Sequence, residues 1–234
     1  MEEEIRDNSQ RSKDATMIFI VALCINIVLI FLVIYQSALL NDFGFSQDEI
    51  ETIEFLDIVI NITSLIRIVV YIVTIIFFLR WFKRAYGNLI RRHQPMEFSE
   101  NGAVWGFFIP VIFFVRPYQT AKEIYVKTQY AIKEFNTSFR IRTDASFVGF
   151  WWFIYWVNIG FGNFAASEVR AAEEARDIAA FVNASGYVII SLVIAIISVV
   201  CVMYLIRTIS KLETMLIETG ASVSEIDNIG KAIE

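Results

Sequence analysis

The chain has 234 residues, 56% of them hydrophobic and 19% charged, with a mean hydropathy of +0.56. A soluble domain carries about 25% charged residues, so this composition excludes an ordinary water-soluble globule and points to a lipid bilayer. The net charge of −5 acquires meaning only when it is divided between the two sides of that bilayer, and no nucleic-acid partner is expected.

Four apolar runs are long enough to cross: residues 15–35, 58–79, 147–166 and 187–206. Each approaches the roughly 20 helical residues that span a hydrocarbon core of about 30 Å. Together they predict an all-α polytopic membrane protein with a single four-helix transmembrane domain over residues 15–207. Residues 1–14 form a cytoplasmic tail and residues 208–234 another. The chain opens Met1-Glu2-Glu3-Glu4, and its first run is too long for a cleavable signal and lacks a small-residue cleavage site. That run is expected to stay as a span. Before the second run, Ser46-Gln47-Asp48-Glu49 carries the serine and glutamate of a capping box, so that helix should begin ahead of the apolar stretch.

Between the second and third spans, residues 103–115 read Ala-Val-Trp-Gly-Phe-Phe-Ile-Pro-Val-Ile-Phe-Phe-Val. As a helix this reaches only about 20 Å, and Pro110 removes a backbone donor in its middle. It is expected as a re-entrant or interfacial element. Residues 118–140 follow as a basic amphipathic helix with Ile124, Ile132 and Phe135 on one face and Lys122, Lys127 and Lys133 on others. Its apolar face could lie on an anionic leaflet or pack beneath the bundle. Residues 167–180 are polar and helix-rich, and the chain past Gly220 should fray.

Basic residues set the orientation. Arg6, Arg11 and Lys13 precede the first span. Residues 36–57 have no basic residue but six acids, which read as a solvated face. The loop over residues 80–142 carries eleven basic residues, the next connection only Arg170 and Arg176, and the tail Arg207, Lys211 and Lys231. This alternation puts both termini in the cytoplasm.

Three motifs occur in order. Phe78-Leu79-Arg80-Trp81 leads to Asn88-Leu89. Trp105-Gly106-Phe107-Phe108-Ile109-Pro110 precedes Arg116-Pro117-Tyr118-Gln119. Gly149-Phe150-Trp151-Trp152-Phe153 opens the third span. Over residues 58–206 they resemble the bacterial membrane family called domain of unknown function 4328, although Phe113-Phe114 stand where that pattern has a more polar pair. The resemblance implies a multi-pass protein of the bacterial inner membrane and supplies no activity.

Arg67 is the one formal charge inside the spans. Charges at such positions are costly and commonly functional. Depth counting puts Arg67, Asn26 and Asn158 at one level with Ser191 slightly further out, giving a candidate intramembrane polar cluster. Alternatively, Arg67 snorkels toward Asp57 or Glu54. A second candidate is a headgroup or partner site on the cytoplasmic face, made of Arg116, Tyr118, Gln119 and Trp105, in which Arg116 either meets a phosphate or hydrogen-bonds loop carbonyls. The tryptophans 81, 105, 151, 152 and 156 read as an interfacial belt, His93 as a solvated loop residue, and Cys24 and Cys201 as packed thiols. No hydrolase, zincin or phosphate-loop motif is present. A non-enzymatic module without a cofactor is therefore expected, with the bilayer, anionic headgroups and a membrane protein or second copy as partners. A small oligomeric transporter built on the Arg67 stripe is the alternative, and a lipid-acting enzyme lacks a visible nucleophile.

Overall fold

The computed structural model describes residues 5–41 and 46–233, with side chains up to residue 220. Met1 to Glu4 and Asp42 of the acidic loop lie outside the described residues. The described chain is helical, without strands: α1 (Ser9–Asn41), α2 (Gln47–Arg91), α3 (Glu100–Trp105), α4 (Pro110–Phe113), α5 (Arg116–Phe135), α6 (Ser146–Ala175) and α7 (Ile178–Ile233).

Local chemistry explains where these helices begin and end. The capping box forms as expected: Ser46 N donates to Glu49 Oε2 at 2.7 Å and Glu49 N donates to Ser46 Oγ at 3.3 Å. Asp177 caps α7 by accepting from Ala179 N at 2.9 Å and Ala180 N at 3.2 Å. Two helices end in Schellman geometry without glycine. After α2, Gln94 N donates to Leu89 O and His93 N to Ile90 O, with His93 at φ 53°. After α6, Asp177 N donates to Ala172 O and Arg176 N to Glu173 O, with Arg176 at φ 50°. The exposed His93 thus has a backbone role.

The contacts divide the chain into two compact units. The first comprises Met1–Thr16, Ile75–Trp152 and Met203–Glu234. Its core gathers Trp81, Phe82, Leu89, Ile124, Ile132 and Leu205, all buried. Burying each such side chain contributes about 1.5–3 kcal/mol. Phe78, Phe82 and Phe107 add ring contacts with centroids 5.3–5.9 Å apart. The expected tails are therefore partly structural: Asn8 is buried near one end of the chain, and Ile209 and Leu216 are buried past the fourth run. α7 continues to Ile233 beyond the point where fraying is expected.

The second unit comprises Met17–Thr74 and Phe153–Val202. Leu29, Val33, Leu56, Ala165, Ala184 and Leu192 are buried in it. Small residues allow close approach here, with Ser191 Oγ 3.6 Å from the Cβ position of Gly162. Outward, it exposes Phe31, Ile62, Leu65, Ile68 and Val69, an apolar surface that water does not favour.

Among the described residues, three helices are long and apolar enough to cross a membrane: Ser9–Asn41, Gln47–Arg91 and Ile178–Gly220. α6 contains the third expected span but falls outside that set. Its tryptophans, Tyr155, Asn158 and Asn163 lower its hydropathy.

Relieving the left-handed strain at a helix end is expected to stabilise the protein. His93→Gly should raise stability by about 1 kcal/mol, since only glycine adopts that backbone region freely. Thermal unfolding of the purified chain measures it, and a fall in Tm would contradict the cap geometry.

Candidate functional site

Arg67 lies on α2 within the second unit. Its Nη1 donates to Asn26 Oδ1 at 3.4 Å, and Asn26 Nδ2 donates to Ala22 O at 2.7 Å. Asn26 is only 5% exposed, so α1 presents a buried acceptor to the charge. The expected cluster forms only in part. Asn158 and Ser191 make no hydrogen bond to this pair among the described residues, and Ser191 instead packs near Gly162. Among the described residues no ion pair joins Arg67 to Asp57 or Glu54, and Asp57 accepts from Gln36 Nε2. Two hydroxyls on the same helix as Arg67 turn to their own backbone, Thr63 Oγ1 to Val59 O and Thr74 Oγ1 to Tyr71 O.

The first unit holds the second candidate set. α3 starts at Ser99, whose Oγ accepts from Gly102 N at 3.0 Å. The chain then breaks at Gly106, restarts at Pro110 and breaks again before Arg116. Proline suits both restarts, because the first turn of a helix has no use for its missing N–H. The short pieces project a row of apolar side chains outward: Trp105 is 61% exposed, Val111 84%, and Phe108, Phe114 and Val115 more than half. Beside them the Arg116 guanidinium lies over the Phe98 ring at 4.2 Å, a cation–π contact. Among the described residues the Arg116 guanidinium makes no hydrogen bond or ion pair, and no loop carbonyl accepts from it; the Arg116 carbonyl accepts from Thr120 Oγ1 at 2.8 Å. A Cβ on Gly106 would sit 2.5 Å from Arg116 Cδ, so glycine at that position leaves the stem its place. Tyr118 packs against Gly149 and lies 5.9 Å from Lys122 Nζ, while Gln119 is exposed.

Of the readings for α5, packing within the protein is the one observed: its apolar face is buried through Ala121, Ile124, Thr128, Ala131 and Ile132. Two expectations change, the tryptophan belt and the packed thiol of Cys24. Of the five tryptophans, Trp81, Trp151 and Trp152 are core residues. Their indole donors are satisfied where observed, with Trp81 Nε1 on Ser210 Oγ at 3.0 Å and Trp152 Nε1 on Phe114 O at 2.7 Å. Trp105 alone among these three motifs' tryptophans stays exposed. Cys24 is likewise exposed.

Sequence reasoning missed the most buried carboxyl among the described residues of the first unit. Glu213 lies past Arg207, outside the apolar stretch, and is 6% exposed. Asn8 Nδ2 donates to its Oε2 at 2.9 Å and Asn88 Nδ2 to its Oε1 at 3.2 Å. Asn8 Nδ2 also reaches Trp81 O, while Asn88 exchanges hydrogen bonds with the Arg6 backbone. Burial pushes the Glu213 carboxyl up to about 7 against the two asparagine bonds, with Asp7 raising it further and Arg84 opposing. The Asn88-Leu89 pair of the sequence motif was the available signal, but nothing in the pattern tied it to position 213.

The family model described as Domain of unknown function (DUF4328) matches residues 46–211, and the chain belongs to that family. No curated protein and no solved structure matches the chain.

Two outcomes follow from this geometry. Asn26→Leu should destabilise by about 2–3 kcal/mol, because it leaves the guanidinium of Arg67 without a partner, whereas Arg67→Leu removes the charge and costs less. Denaturation of both variants in micelles gives the order, and a larger loss for Arg67→Leu would contradict it. For Glu213, the folded carboxyl titrates near 7 and the unfolded one near 4.5. The folded state therefore binds more protons between these values, and stability falls as pH rises through that window, by about 3 kcal/mol in all. Glu213→Gln should flatten the profile between pH 5 and 8; an equally steep variant profile would contradict the assignment.

Proposed function

We propose that this chain is a non-enzymatic, four-span module of the bacterial inner membrane whose cytoplasmic side seats an interfacial element in the bilayer beside a site for anionic headgroups. The observation that carries the reading is the outward apolar row from Trp105 to Val115 ending at the ring-stacked Arg116, whose guanidinium has no hydrogen-bond or ion-pair partner among the described residues. Apolar side chains exposed on short, proline-started helical pieces suit the headgroup–acyl boundary, where tryptophan is at home. A guanidinium at the edge of such a row offers a fork of donors to a lipid phosphate. Exposed Lys122 and Lys133 on α5 add positive charge, each worth about 1 kcal/mol near an anionic leaflet.

The alternation of basic and acidic connections supports cytoplasmic termini. α6, with 30 residues, is long enough to complete the fourth span at 1.5 Å per residue. The residues 103–115 enter from the cytoplasmic side and return, because the basic α5 follows them. The transporter alternative has less support, since Asn26 is the one member of the proposed polar cluster that meets Arg67.

A nitroxide on Val111→Cys, in a chain with Cys24 and Cys201 replaced by alanine, tests the seating. In anionic nanodiscs it should collide with oxygen in preference to a water-soluble nickel chelate, and a label on Lys133→Cys should do the reverse. A water-accessible label at 111 would overturn the reading. Arg116→Gln should reduce the anionic lipid retained on the purified protein about fivefold, measured by native mass spectrometry.

A further inference from the structure

A cavity of about 470 Å3 opens in the second unit between the end of α1, the start of α2, the end of α6 and the start of α7. Its volume falls in the range of small-molecule sites, roughly 300–1,000 Å3. Polar lining comes from Gln36, Asp57, Asn61, Glu173 and Ser185, and the rest is aliphatic apart from the Phe181 ring. On each helix the lining positions recur every three or four residues, as with Asp57 and Asn61 or Phe181, Ser185 and Val188, so four helix faces converge on one space.

The chemistry of this lining is one-sided. It includes two carboxylates and no lysine, arginine or histidine. Among the described residues neither Asp57 nor Glu173 forms an ion pair. Gln36, buried, directs its Nε2 to Asp57 Oδ1 and so fixes that carboxylate at the wall. Ser185, also buried, gives its proton to Phe181 O at 3.0 Å, which leaves its oxygen as an acceptor toward the space. The site therefore presents acceptors and negative charge around an apolar volume. A bare divalent ion fits poorly, because it needs six or more close oxygens and no grouping of three metal-type ligands occurs among the described residues.

We propose that this cavity binds an organic ammonium ion with an apolar body, its charge held between Asp57 and Glu173 and its body against the aliphatic wall and Phe181. The ring can also receive the cation over its face. An anion of the same shape is excluded by the two carboxylates. The ammonium can belong to a soluble amine or to an aminophospholipid. This inference goes beyond the headgroup site of the first unit and does not draw on Arg116, so either can fail alone.

The test uses the full chain in maltoside micelles, with benzyltrimethylammonium as the probe and benzenesulfonate as its anionic counterpart, read by calorimetry. The cation should bind saturably and the sulfonate should not. Asp57→Asn with Glu173→Gln should weaken the cation about tenfold, and Val188→Trp, which fills the apolar side, should abolish binding with both carboxylates intact. Competition by added phosphatidylethanolamine would identify the lipid as the source of the ammonium; its absence would identify a soluble amine. Absence of saturable cation binding, equal binding of benzenesulfonate, or unchanged affinity in both variants would overturn the proposal. Unchanged Tm values confirm that the variants fold.

Discussion

A carboxylate removed from water must find partners, and the first unit is arranged around one that does. Glu213 takes one amide from Asn8 and one from Asn88. These residues lie far apart in sequence, so a single buried group fixes the entry of α1, the far end of α2 and the later part of α7. The same asparagines close onto backbone, Asn8 onto Trp81 O and Asn88 onto Arg6. Trp81 then reaches Ser210, and Ser210 reaches Ser12. Half-satisfied polar networks are worse than an apolar core, and the unpartnered Oδ1 of Asn8 is the weak point in this one. The dependence on pH follows from that arrangement, since burial outweighs two hydrogen bonds.

Around this tie, aromatic packing gives the first unit a rigid interior, and rigidity allows the projecting row from Trp105 to Val115 to be a feature of the fold. Tyr86 donates to Glu123 Oε2 at 2.8 Å and accepts from Phe98 N at 2.9 Å. Phe98 is in turn the ring beneath Arg116. The cation's position is therefore set by a chain of contacts that begins on α2 and α5. In the second unit the physics differs: Leu29, Val33, Leu56 and Leu192 pack with small residues and the Arg67–Asn26 contact in the interior, while other large aliphatic side chains point outward. Such a surface is stable where lipid replaces water.

Legibility in the sequence follows the range of the interaction. The capping box at Ser46–Glu49 was readable because both partners lie three residues apart. The apolar runs were readable because length and composition alone define them. Arg67 was conspicuous as a charge, but its partner was not, since three polar residues at similar depth compete and only helix rotation selects Asn26. Glu213 reads as an ordinary acid on a helix past a span, and its burial depends on a residue 205 positions earlier. Trp81, Trp151 and Trp152 looked interfacial because tryptophan suits both an interface and a core, and only side-chain direction distinguishes them. His93 and Arg176 gave no sign of their left-handed backbone, as glycine would have. The amphipathic pattern of α5 was real, but pattern cannot say whether protein or lipid covers an apolar face.

The central proposal is that the chain crosses the membrane four times and that residues 103–115 enter and return on the cytoplasmic side. Cysteine accessibility in intact cells tests it most directly, with Cys24 and Cys201 removed and single reporters introduced as Ser46→Cys, Ser99→Cys, Gln119→Cys and Ser167→Cys. The account predicts labelling from outside at 46 and 167 and protection at 99 and 119. Outside labelling at 119 would mean that the short segment crosses, which would place α5 on the wrong side for the proposed headgroup site.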